Sequence, residues 1–261
     1  MEVKKKLLKK KIGALIIVRL NSRRFKNKAL KKIYNFVSIQ ILIKRLKKLK
    51  NISNIILTTS PHKRLIELKM IAKKENIDFF VGSESNVLER IIKCAKKFKL
   101  DSIIRVTGDD IFRDIEKLDQ AILAHKKSSK DITVMKNIPY GLGSEIFDFK
   151  VLKIIDKKMN KECDSGYLSW FIDRKIFNVN DFDCKFYNYR DIIVSLDYKI
   201  DLVIMKFIVK KIGIYFTTKE LINLYKNHKI EFRNFKILRD KIDKKFLKFH
   251  HPLKTKYKLN I

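Results

Sequence analysis

The run GALIIV at residues 13–18 is short, apolar and rich in β-branched side chains, and a cluster of cations follows it directly. Such a run is typical of a strand that is buried on both faces of a parallel sheet. Similar runs predict further strands, at residues 52–58, 78–81, 102–106, 131–135 and 192–196. The sequence therefore predicts a sheet made largely of buried strands.

The stretches between these runs have helical periodicity. They predict helices at residues 39–49, 65–74, 87–98, 115–125 and 202–212. A strand followed by a helix, repeated along the chain, is the pattern of an α/β protein. We therefore predict a three-layer sandwich with a mostly parallel sheet.

The chain is strongly basic, with 61 Lys and Arg against 28 Asp and Glu and a net charge of +33 in 261 residues. Because 46% of the residues are hydrophobic, this charge does not indicate disorder. It permits a polyanionic partner, but 49 of the 61 cations are Lys spread along the chain, as codon bias and solvated helix faces would give. Arg, the better residue for phosphate recognition, is not enriched. We expect nucleic acid not to be the partner.

We expect a cytoplasmic protein, because the sequence shows neither a membrane span nor a signal peptide and its cysteines form no recognisable pattern. The longest apolar run, residues 12–18, is too short to cross a bilayer, and the basic N-terminus lacks the apolar region of a signal peptide. Cys94, Cys163 and Cys184 are odd in number and have no C-x-x-C spacing. They predict neither disulfides nor a zinc site, in a reducing compartment.

The domain organisation follows from changes in pattern. Residues 1–11 are predicted as a basic extension, residues 12–215 as the α/β domain and residues 216–261 as a helical, basic appendage. The sequence TTKE at residues 217–220 resembles a helix capping box. Four phenylalanines of the appendage are predicted to pack it on the core or on a partner subunit, with stacking on RNA bases as the alternative: Phe232, Phe235, Phe246 and Phe249.

Candidate functional residues follow the predicted strands, because ligands of open α/β sheets bind at the carboxyl ends of the strands. The first loop reads RLNSRRFKNK, residues 19–28, and offers cations, a hydroxyl and a helix N-terminus to a polyphosphate. It has neither the P-loop nor the dinucleotide-binding glycine pattern. A solvated basic stretch is the alternative interpretation.

Carboxylates follow two other strands. In RVTGDDIF, residues 105–112, Asp109 lies next to a glycine and is a candidate Mg²⁺ ligand, since Mg²⁺ is commonly bound by one or two carboxylates plus phosphate oxygens. Asp110 or Asp114 could instead cap a turn or the next helix. In VSLDYKIDL, residues 194–202, Asp197 and Asp201 follow the last predicted strand.

The first loop resembles the signature A-R-x-x-S-x-R-[LF]-P-x-K of the cytidylyltransferase family of CMP-sugar synthetases. Its signature positions hold Arg19, Ser22, Arg24 and Lys28, whereas residues 18, 26 and 27 depart from the family's Ala, Pro and Gly. The resemblance is strongest to the spore coat polysaccharide branch and weaker to the CMP-KDO synthetases.

Further blocks resemble the family in the same order along residues 12–225. Residues 105–112 resemble R-x-T-G-D-x-P-L, and residues 194–202 keep both Asp positions of V-D-T-P-E-D-L. Residues 58–60, 82–90 and 140–147 resemble A-T-S-D, G-S-x-x-[DN]-V-L-x-R and P-x-G-L-x-x-E-x-F. The E-H-V-T block would fall near residues 165–168, where this sequence has no His.

The resemblance implies the GT-A-like, Rossmann-like fold of nucleotide-diphospho-sugar transferases. It also implies transfer of CMP from CTP to an acidic sugar, with release of pyrophosphate, for surface polysaccharide or glycan synthesis. Mg²⁺ is the implied cofactor, CTP and the sugar are the implied partners, and a homodimer is the implied assembly.

The resemblance also assigns roles to individual residues. The implied nucleotide-binding residues are Arg19, Leu20, Ser22, Arg24, Lys28, Thr59 and Ser60. The implied catalytic residues are Arg19, Lys28 and Asp109, and the implied metal ligands are Asp109 and Asp197. The implied sugar-binding residues are Arg90, Arg105 and Glu145.

Two other classes of protein remain as alternatives. A GT-A glycosyltransferase would share the sheet and the metal carboxylates but would consume a nucleotide-sugar, and the cationic loop after the first strand argues against it. A non-catalytic relative could bind nucleic acid or a membrane surface through its basic exterior.

Overall fold

The computed structural model describes residues 10–159, 168–189 and 191–249. Within these ranges the strands are β1 (Ile12–Ile17), β2 (Lys32–Ile33), β3 (Phe36–Val37), β4 (Asn54–Thr59), β5 (Asp78–Val81), β6 (Ser102–Thr107), β7 (Ile132–Lys136), β8 (Glu145–Asp148) and β9 (Val179–Asp183). The helices are α1 (Ser38–Leu46), α2 (Leu65–Lys74), α3 (Val87–Lys97), α4 (Ile115–Lys127), α5 (Phe149–Lys158), α6 (Asp201–Ile212), α7 (Thr218–Asn227) and α8 (Lys229–Phe249). Short 3₁₀ helices occupy Lys28–Leu30 and Leu168–Phe171.

Seven strands form one sheet in the order β5-β4-β1-β6-β8-β7-β9. Strand β1 lies near the centre and pairs in parallel with β4 and β6. Within this sheet β8 alone runs against its neighbours, pairing antiparallel with both β6 and β7, and the short β2 and β3 form a separate antiparallel pair. The mostly parallel sheet with flanking helices confirms the predicted fold class.

Each face of the sheet carries its own apolar core. Ile16 and Ile104 belong to one core, together with residues of α1, α4, α6, α7 and α8. Leu15 and Ile103 point the other way and join the second core, formed mainly with α3 and α5. Because successive side chains of a strand face opposite sides, apolar residues at neighbouring positions of β1 fill both cores, which is the three-layer arrangement.

The predicted strand at residues 192–196 is wrong. This segment is extended and buried, but it makes a single bridge, between Ile193 and Tyr140, and does not join the sheet. Its backbone bonds instead to two loops, with the Val194 N–H donating to the Tyr140 carbonyl and the Leu196 N–H to the Asp109 carbonyl. An apolar run indicates that a segment is buried. A buried, extended loop therefore has the same apolar sequence pattern as a buried strand.

The residues of the predicted appendage form α7 and α8, which pack on the first core. The capping box at Thr217 and Glu220 is present. Phe232 and Phe235 are buried among core residues, as predicted for packing on the core. The side chains of Phe246 and Phe249 lie outside the described part, as do Cys163 and residues 1–9, 160–167 and 250–261.

A buried arginine fastens the start of this C-terminal unit. The guanidinium of Arg45, on α1, donates to the carbonyls of Ile214 and Phe216 at 2.6 and 3.0 Å and to that of Arg113 at 2.8 Å. Arg45 thereby ties the segment before α7 to the loop after β6. Within the described ranges, no helix is both long enough and apolar enough to cross a membrane.

Candidate active site

The loop after β1, residues 18–28, is called the phosphate loop below. Its last turn depends on Asn27, whose φ of 54° lies in the left-handed region. The Asn27 N–H donates to the Leu20 carbonyl at 3.1 Å and closes the loop. Asparagine tolerates this conformation better than most other side chains, so Asn27 can adopt the turn without a glycine. Arg19 projects into solvent, Ser22 is partly exposed and Lys28 is buried.

The loop after β6 brings a carboxylate against the phosphate loop. A Cβ added to Gly108 would lie 2.7 Å from the Val18 side chain, so the close approach of the two loops requires glycine. Asp109 follows directly. Asp110 instead accepts from Thr107 at 2.6 Å and from Arg113 at 2.8 Å, and so stabilises the loop itself.

Asp114 caps α4, one of the two roles predicted for the neighbouring carboxylates. Its Oδ1 accepts from the Lys117 N–H at 2.8 Å, and its Oδ2 accepts a hydrogen bond from Thr218 of α7. Asp114 thus joins the start of α4 to the C-terminal unit.

The turn at residues 197–201 is shaped by Asp201. Its Oδ2 accepts hydrogen bonds from the backbone N–H groups of Asp197 and Tyr198, at 2.6 and 2.7 Å. Asp201 is the first residue of α6, so its carboxylate orients the turn that leads into this helix. The turn places the Asp197 side chain, 3% of which is exposed, beside the loop after β6.

Lys28 bridges the two carboxylates that the sequence pointed to. Its Nζ lies 2.6 Å from Asp109 Oδ2 and 3.1 Å from Asp197 Oδ1. The Arg24 Nη2 lies 2.6 Å from the same Asp197 oxygen. Four predicted residues separated by up to 173 positions therefore meet at the carboxyl ends of β1 and β6.

A residue that the sequence did not single out completes this group. Arg239, on α8, donates from Nη2 to Asp197 Oδ2 and from Nε to Asp201 Oδ1, each at 3.0 Å. We call the whole set the charged cluster: Arg24, Lys28, Asp109, Asp197, Asp201 and Arg239. Its three cations balance its three carboxylates.

Two members of the cluster, Lys28 and Asp109, hold their charges firmly. Burial would raise the pKa of Asp109, but the charge of Lys28 and its hydrogen bond outweigh burial and lower the pKa to about 2. Burial lowers the pKa of Lys28, whereas Asp109 and Asp197 together raise it above its ordinary value. Both groups therefore stay ionised at neutral pH, and the buried ammonium is a fixed positive charge at the base of the phosphate loop.

The carboxylates suit a divalent cation that takes most of its other ligands from phosphate and water. The Asp109 side chain is 22% exposed and accessible from outside. Asp197 accepts from Arg24, Lys28, Ser195 and Arg239 together, so it can offer Oδ1 only when Arg24 or Lys28 turns away. No group of three or more metal-ligating side chains occurs in the described ranges, and a cage built from protein ligands alone does not form there.

Thr59 and Ser60 lie at the carboxyl end of β4, beside the phosphate loop. Both are buried, and the Thr59 carbonyl accepts from the Gly82 N–H at 3.0 Å. The Thr59 hydroxyl oxygen has no hydrogen-bond partner among the described residues. This places it as a candidate contact for a ligand at the same edge of the sheet.

The three residues implied for the sugar do not join the cluster. Arg105 and Glu145 form an ion pair at 3.1 Å across the β6–β8 pairing. Arg90 is fully buried and donates to the Ser83 carbonyl at 3.0 Å. Burial lowers the pKa of Arg90 to about 10. In this arrangement Arg90 has no path to solvent.

Gly141 lies in the segment that resembles the family's P-x-G-L block. It permits close contact between this segment and residues 192–196, which lead into Asp197. Its φ is +96°, and an added Cβ would lie 2.7 Å from the Val194 carbonyl carbon. Any other residue would be strained there and would push residues 192–196 away. The glycine therefore helps to hold the extended segment that leads into Asp197.

The spacing of Arg239 from two buried phenylalanines is a sequence feature that indicates a buried arginine. Arg239 lies seven residues after Phe232 and four after Phe235, and this spacing places all three on the same face of a helix. A charged residue on an otherwise apolar, buried face indicates a buried partner of opposite charge. Nothing in the local pattern identifies that partner as Asp197.

The family model for cytidylyltransferases matches residues 14–242, so the chain belongs to the cytidylyltransferase family. An uncharacterised protein of Methanocaldococcus jannaschii is 36% identical over 162 residues, which are 62% of this chain and 67% of that protein. The spore coat polysaccharide biosynthesis protein SpsF of Bacillus subtilis is 32% identical over 142 residues, 53% of this chain and 59% of that protein.

Solved structures share the fold. A cytidylyltransferase from Leptospira borgpetersenii superposes with a TM-score of 0.79 at 21% identity, covering 86% of this chain and 98% of that one. A CMP:2-keto-3-deoxy-manno-octonic acid synthetase complexed with CTP gives 0.63 at 12% identity, with 77% and 99% covered. Rv0371c of Mycobacterium tuberculosis, in complex with manganese, gives 0.55 at 11% identity, with 75% and 97% covered.

Proposed function

We propose that this protein transfers CMP from CTP to the hydroxyl of an acidic sugar and releases pyrophosphate, for the synthesis of a surface polysaccharide or glycan. The observation that carries the proposal is the Lys28 ammonium between Asp109 and Asp197, beneath a loop with further cations. Membership of the family supports nucleotidyl transfer over glycosyl transfer.

The proposed reaction is an in-line displacement. The sugar hydroxyl oxygen attacks the α-phosphorus of CTP, the bond from that phosphorus to the bridging oxygen breaks, and the pair of electrons leaves with pyrophosphate. The hydroxyl proton is lost to solvent or to a phosphate oxygen. Reactions of this type depend on positioning and charge neutralisation more than on covalent chemistry by the protein.

The phosphate loop supplies both requirements in this proposal. Arg19, exposed, and Arg24, partly exposed, would contact the β- and γ-phosphates. Lys28 is buried and fixed, so it would neutralise charge at the α-phosphate as the bridging bond breaks. Leu20 and Ser22 would line the nucleotide, with Thr59 and Ser60 at the adjacent strand end.

Asp109 is the proposed principal ligand of Mg²⁺, with Asp197 as the second. A divalent cation there would polarise the α-phosphate and lower the charge on the departing pyrophosphate. The donors around Asp197 imply an exchange, in which Arg24 turns to the triphosphate and leaves one carboxylate oxygen accessible.

The acceptor is proposed to lie on the β6–β8 side, near Arg105 and Glu145. Arg90 would reach the acceptor only if the backbone at Ser83 moves, since its guanidinium is fully buried and donates to the Ser83 carbonyl. The Nε and Nη2 of Arg90 have no hydrogen-bond partner among the described residues, so a carboxylate entering there would find unsatisfied donors.

A homodimer, as the resemblance implies, is part of the same proposal.

The test is pyrophosphate release from CTP with Mg²⁺ and a panel of neutral and acidic sugars. We expect release with an acidic sugar and loss of nearly all activity in Asp109→Asn, which keeps the shape of the side chain but removes its charge. Asp156→Asn, on the exposed face of α5, is the matched control and should behave as wild type. Full activity in Asp109→Asn would contradict the metal assignment, and no release with any sugar would contradict the function.

A further inference from the structure

Arg239 contacts the candidate active site although it belongs to the C-terminal helix. Only 9% of its side chain is exposed, and its guanidinium spans two carboxylates, Asp197 and Asp201, at 3.0 Å each. The guanidinium carbon also lies 5.5 Å from the centre of the Tyr198 ring. The contacts thus engage both ends and the middle of the turn that carries Asp197.

Helix α8 is a firm support for this side chain. Phe232 is fully buried and makes edge-to-face contacts with Tyr225 and Phe207. One turn beyond Arg239, Asp243 accepts a hydrogen bond from the Tyr198 hydroxyl. Both sides of Arg239 along the helix are therefore fastened to the body of the protein, which fixes the position of its guanidinium.

The two arginines on Asp197 differ in how easily they could move. Arg24 contacts Oδ1, belongs to a loop, and has 32% of its side chain exposed. Arg239 contacts Oδ2, belongs to a helix, and is held by a second carboxylate. A ligand that draws Arg24 away would leave Oδ2 held and Oδ1 accessible.

We propose that Arg239 is a positioning residue for the transfer reaction: it holds Asp197 through Oδ2, so that Oδ1 stays aimed at Lys28 and at the incoming metal–triphosphate. This inference rests on the proposed function. It makes α8 part of the catalytic unit. The charge balance of the cluster supports it, because the pair Arg239–Asp201 stays neutral when the partly exposed Arg24 turns to phosphate and a divalent cation takes its place beside Asp197.

The experiment compares Arg239→Ala and Arg239→Lys with wild type and with Arg233→Ala. Arg233 is on the same helix, is 58% exposed at its side chain and pairs with Asp191 away from the cluster, so it is the matched control. Lysine keeps the charge but cannot span both carboxylates. If the alanine variant folds poorly, the lysine variant still tests the contact.

Two readouts separate positioning from a structural role. Binding of Mn²⁺ in the presence of CTP, followed by electron paramagnetic resonance, should weaken by about 10- to 100-fold in Arg239→Ala, as is typical when a partner of a metal ligand is removed. The kcat should fall by a similar factor while the KM for CTP changes little, since the phosphate loop is intact. Arg239→Lys should be intermediate and Arg233→Ala unchanged.

Two results would overturn the inference. Wild-type Mn²⁺ binding and kcat in both Arg239 variants, with only a lower melting temperature, would show a purely structural role. Tighter Mn²⁺ binding in Arg239→Ala would show that the arginine opposes the metal by its charge. A wild-type protein that binds no CTP and releases no pyrophosphate fails the proposed function itself, which is visible before any variant is made, and the inference then falls with it.

Discussion

Two buried carboxylates, Asp197 and Asp148, lie at opposite ends of the sheet, and both are surrounded by donors. Asp148 accepts from Ser102 at 2.7 Å, from Lys10 at 2.9 Å and, through Oδ1, lies 3.0 Å from His125 Nε2. Ser102 and His125 are fully buried on β6 and α4, whereas Asp197 is contacted by Arg24 from a partly exposed loop.

The difference lies in the elements that supply the partners. At the amino end of β6 the partners of Asp148 belong largely to regular secondary structure, and the group is closed. At the carboxyl end they come mostly from loops, whose cations can turn toward a ligand. Similar chemistry therefore stabilises the fold at one end and is available for binding at the other, as the carboxyl-end rule for α/β sheets predicts.

The largest effect is expected at Lys28. Lys28→Gln removes the ammonium between Asp109 and Asp197, and pyrophosphate release should fall by about 10²- to 10³-fold, the usual loss when one preorganised charge is removed from an active site. Steady-state release of pyrophosphate measures this. Lys26→Gln changes an exposed lysine of the same loop and should stay near wild type. A loss of activity below about threefold in Lys28→Gln would contradict the assignment of the charged cluster to the active site.

A smaller effect, on stability alone, is expected at Asp148. Burial would raise the pKa of this carboxyl, but hydrogen bonds from His125, Ser102 and Lys10 lower it to about 2. A carboxyl whose pKa is lowered by folding stabilises the protein above its unfolded pKa of about 4. This stabilisation, on the order of 2 kcal/mol, is then lost as the pH falls through the folded pKa.

The Asp148→Asn variant should therefore have a lower free energy of unfolding than wild type at pH 7. The difference in free energy between the two proteins should become smaller below about pH 4. Urea unfolding at a series of pH values measures it. The kcat per folded molecule should be unchanged, since the group is remote from the charged cluster. A gap that widens in acid, or a loss of activity without a loss of stability, would contradict the assignment of Asp148 to fold stability.

The smallest effect is expected at Asn27. Because its φ is 54° and its Oδ1 is buried without a hydrogen-bond partner among the described residues, Asn27→Gly should change the free energy of unfolding by less than about 0.5 kcal/mol. Asn27→Val, which resists the left-handed conformation, should cost about 1–2 kcal/mol. Urea unfolding compares the two. Equal costs would show that the turn does not depend on the backbone conformation of residue 27.

The α/β pattern and several residues of the site could be predicted from local sequence. Residues 13–18 are apolar at consecutive positions because a central parallel strand is buried on both faces, and that local requirement is visible in any window. Arg24, Lys28 and Asp109 could be located because they directly follow or closely flank predicted strands. The rule that ligands bind at the carboxyl ends located the candidate loops, and the resemblance to the cytidylyltransferase family supplied the roles of the individual residues.

The wrongly predicted strand at residues 192–196 and the strand β8, which was not predicted, share one physical cause. Residues 192–196 are apolar because they are buried, but where their backbone N–H groups bond depends on Tyr140 and Asp109, far away in sequence. The antiparallel β8 is short, and its pairing with β6 is set by the folded sheet. Periodicity reports burial and local conformation, and it carries no information about the partner.

The sequence by itself determined the alternation of strands and helices, the cationic loop after β1 and the carboxylates after later strands, because each is a property of neighbouring residues. Only the tertiary structure decided that Lys28 lies between Asp109 and Asp197, that Arg90 is covered, and that Arg239 of the C-terminal helix holds Asp197. Charge pairs between distant segments form only when packing brings the segments together, since their attraction depends on distance in space and is screened beyond about 10 Å.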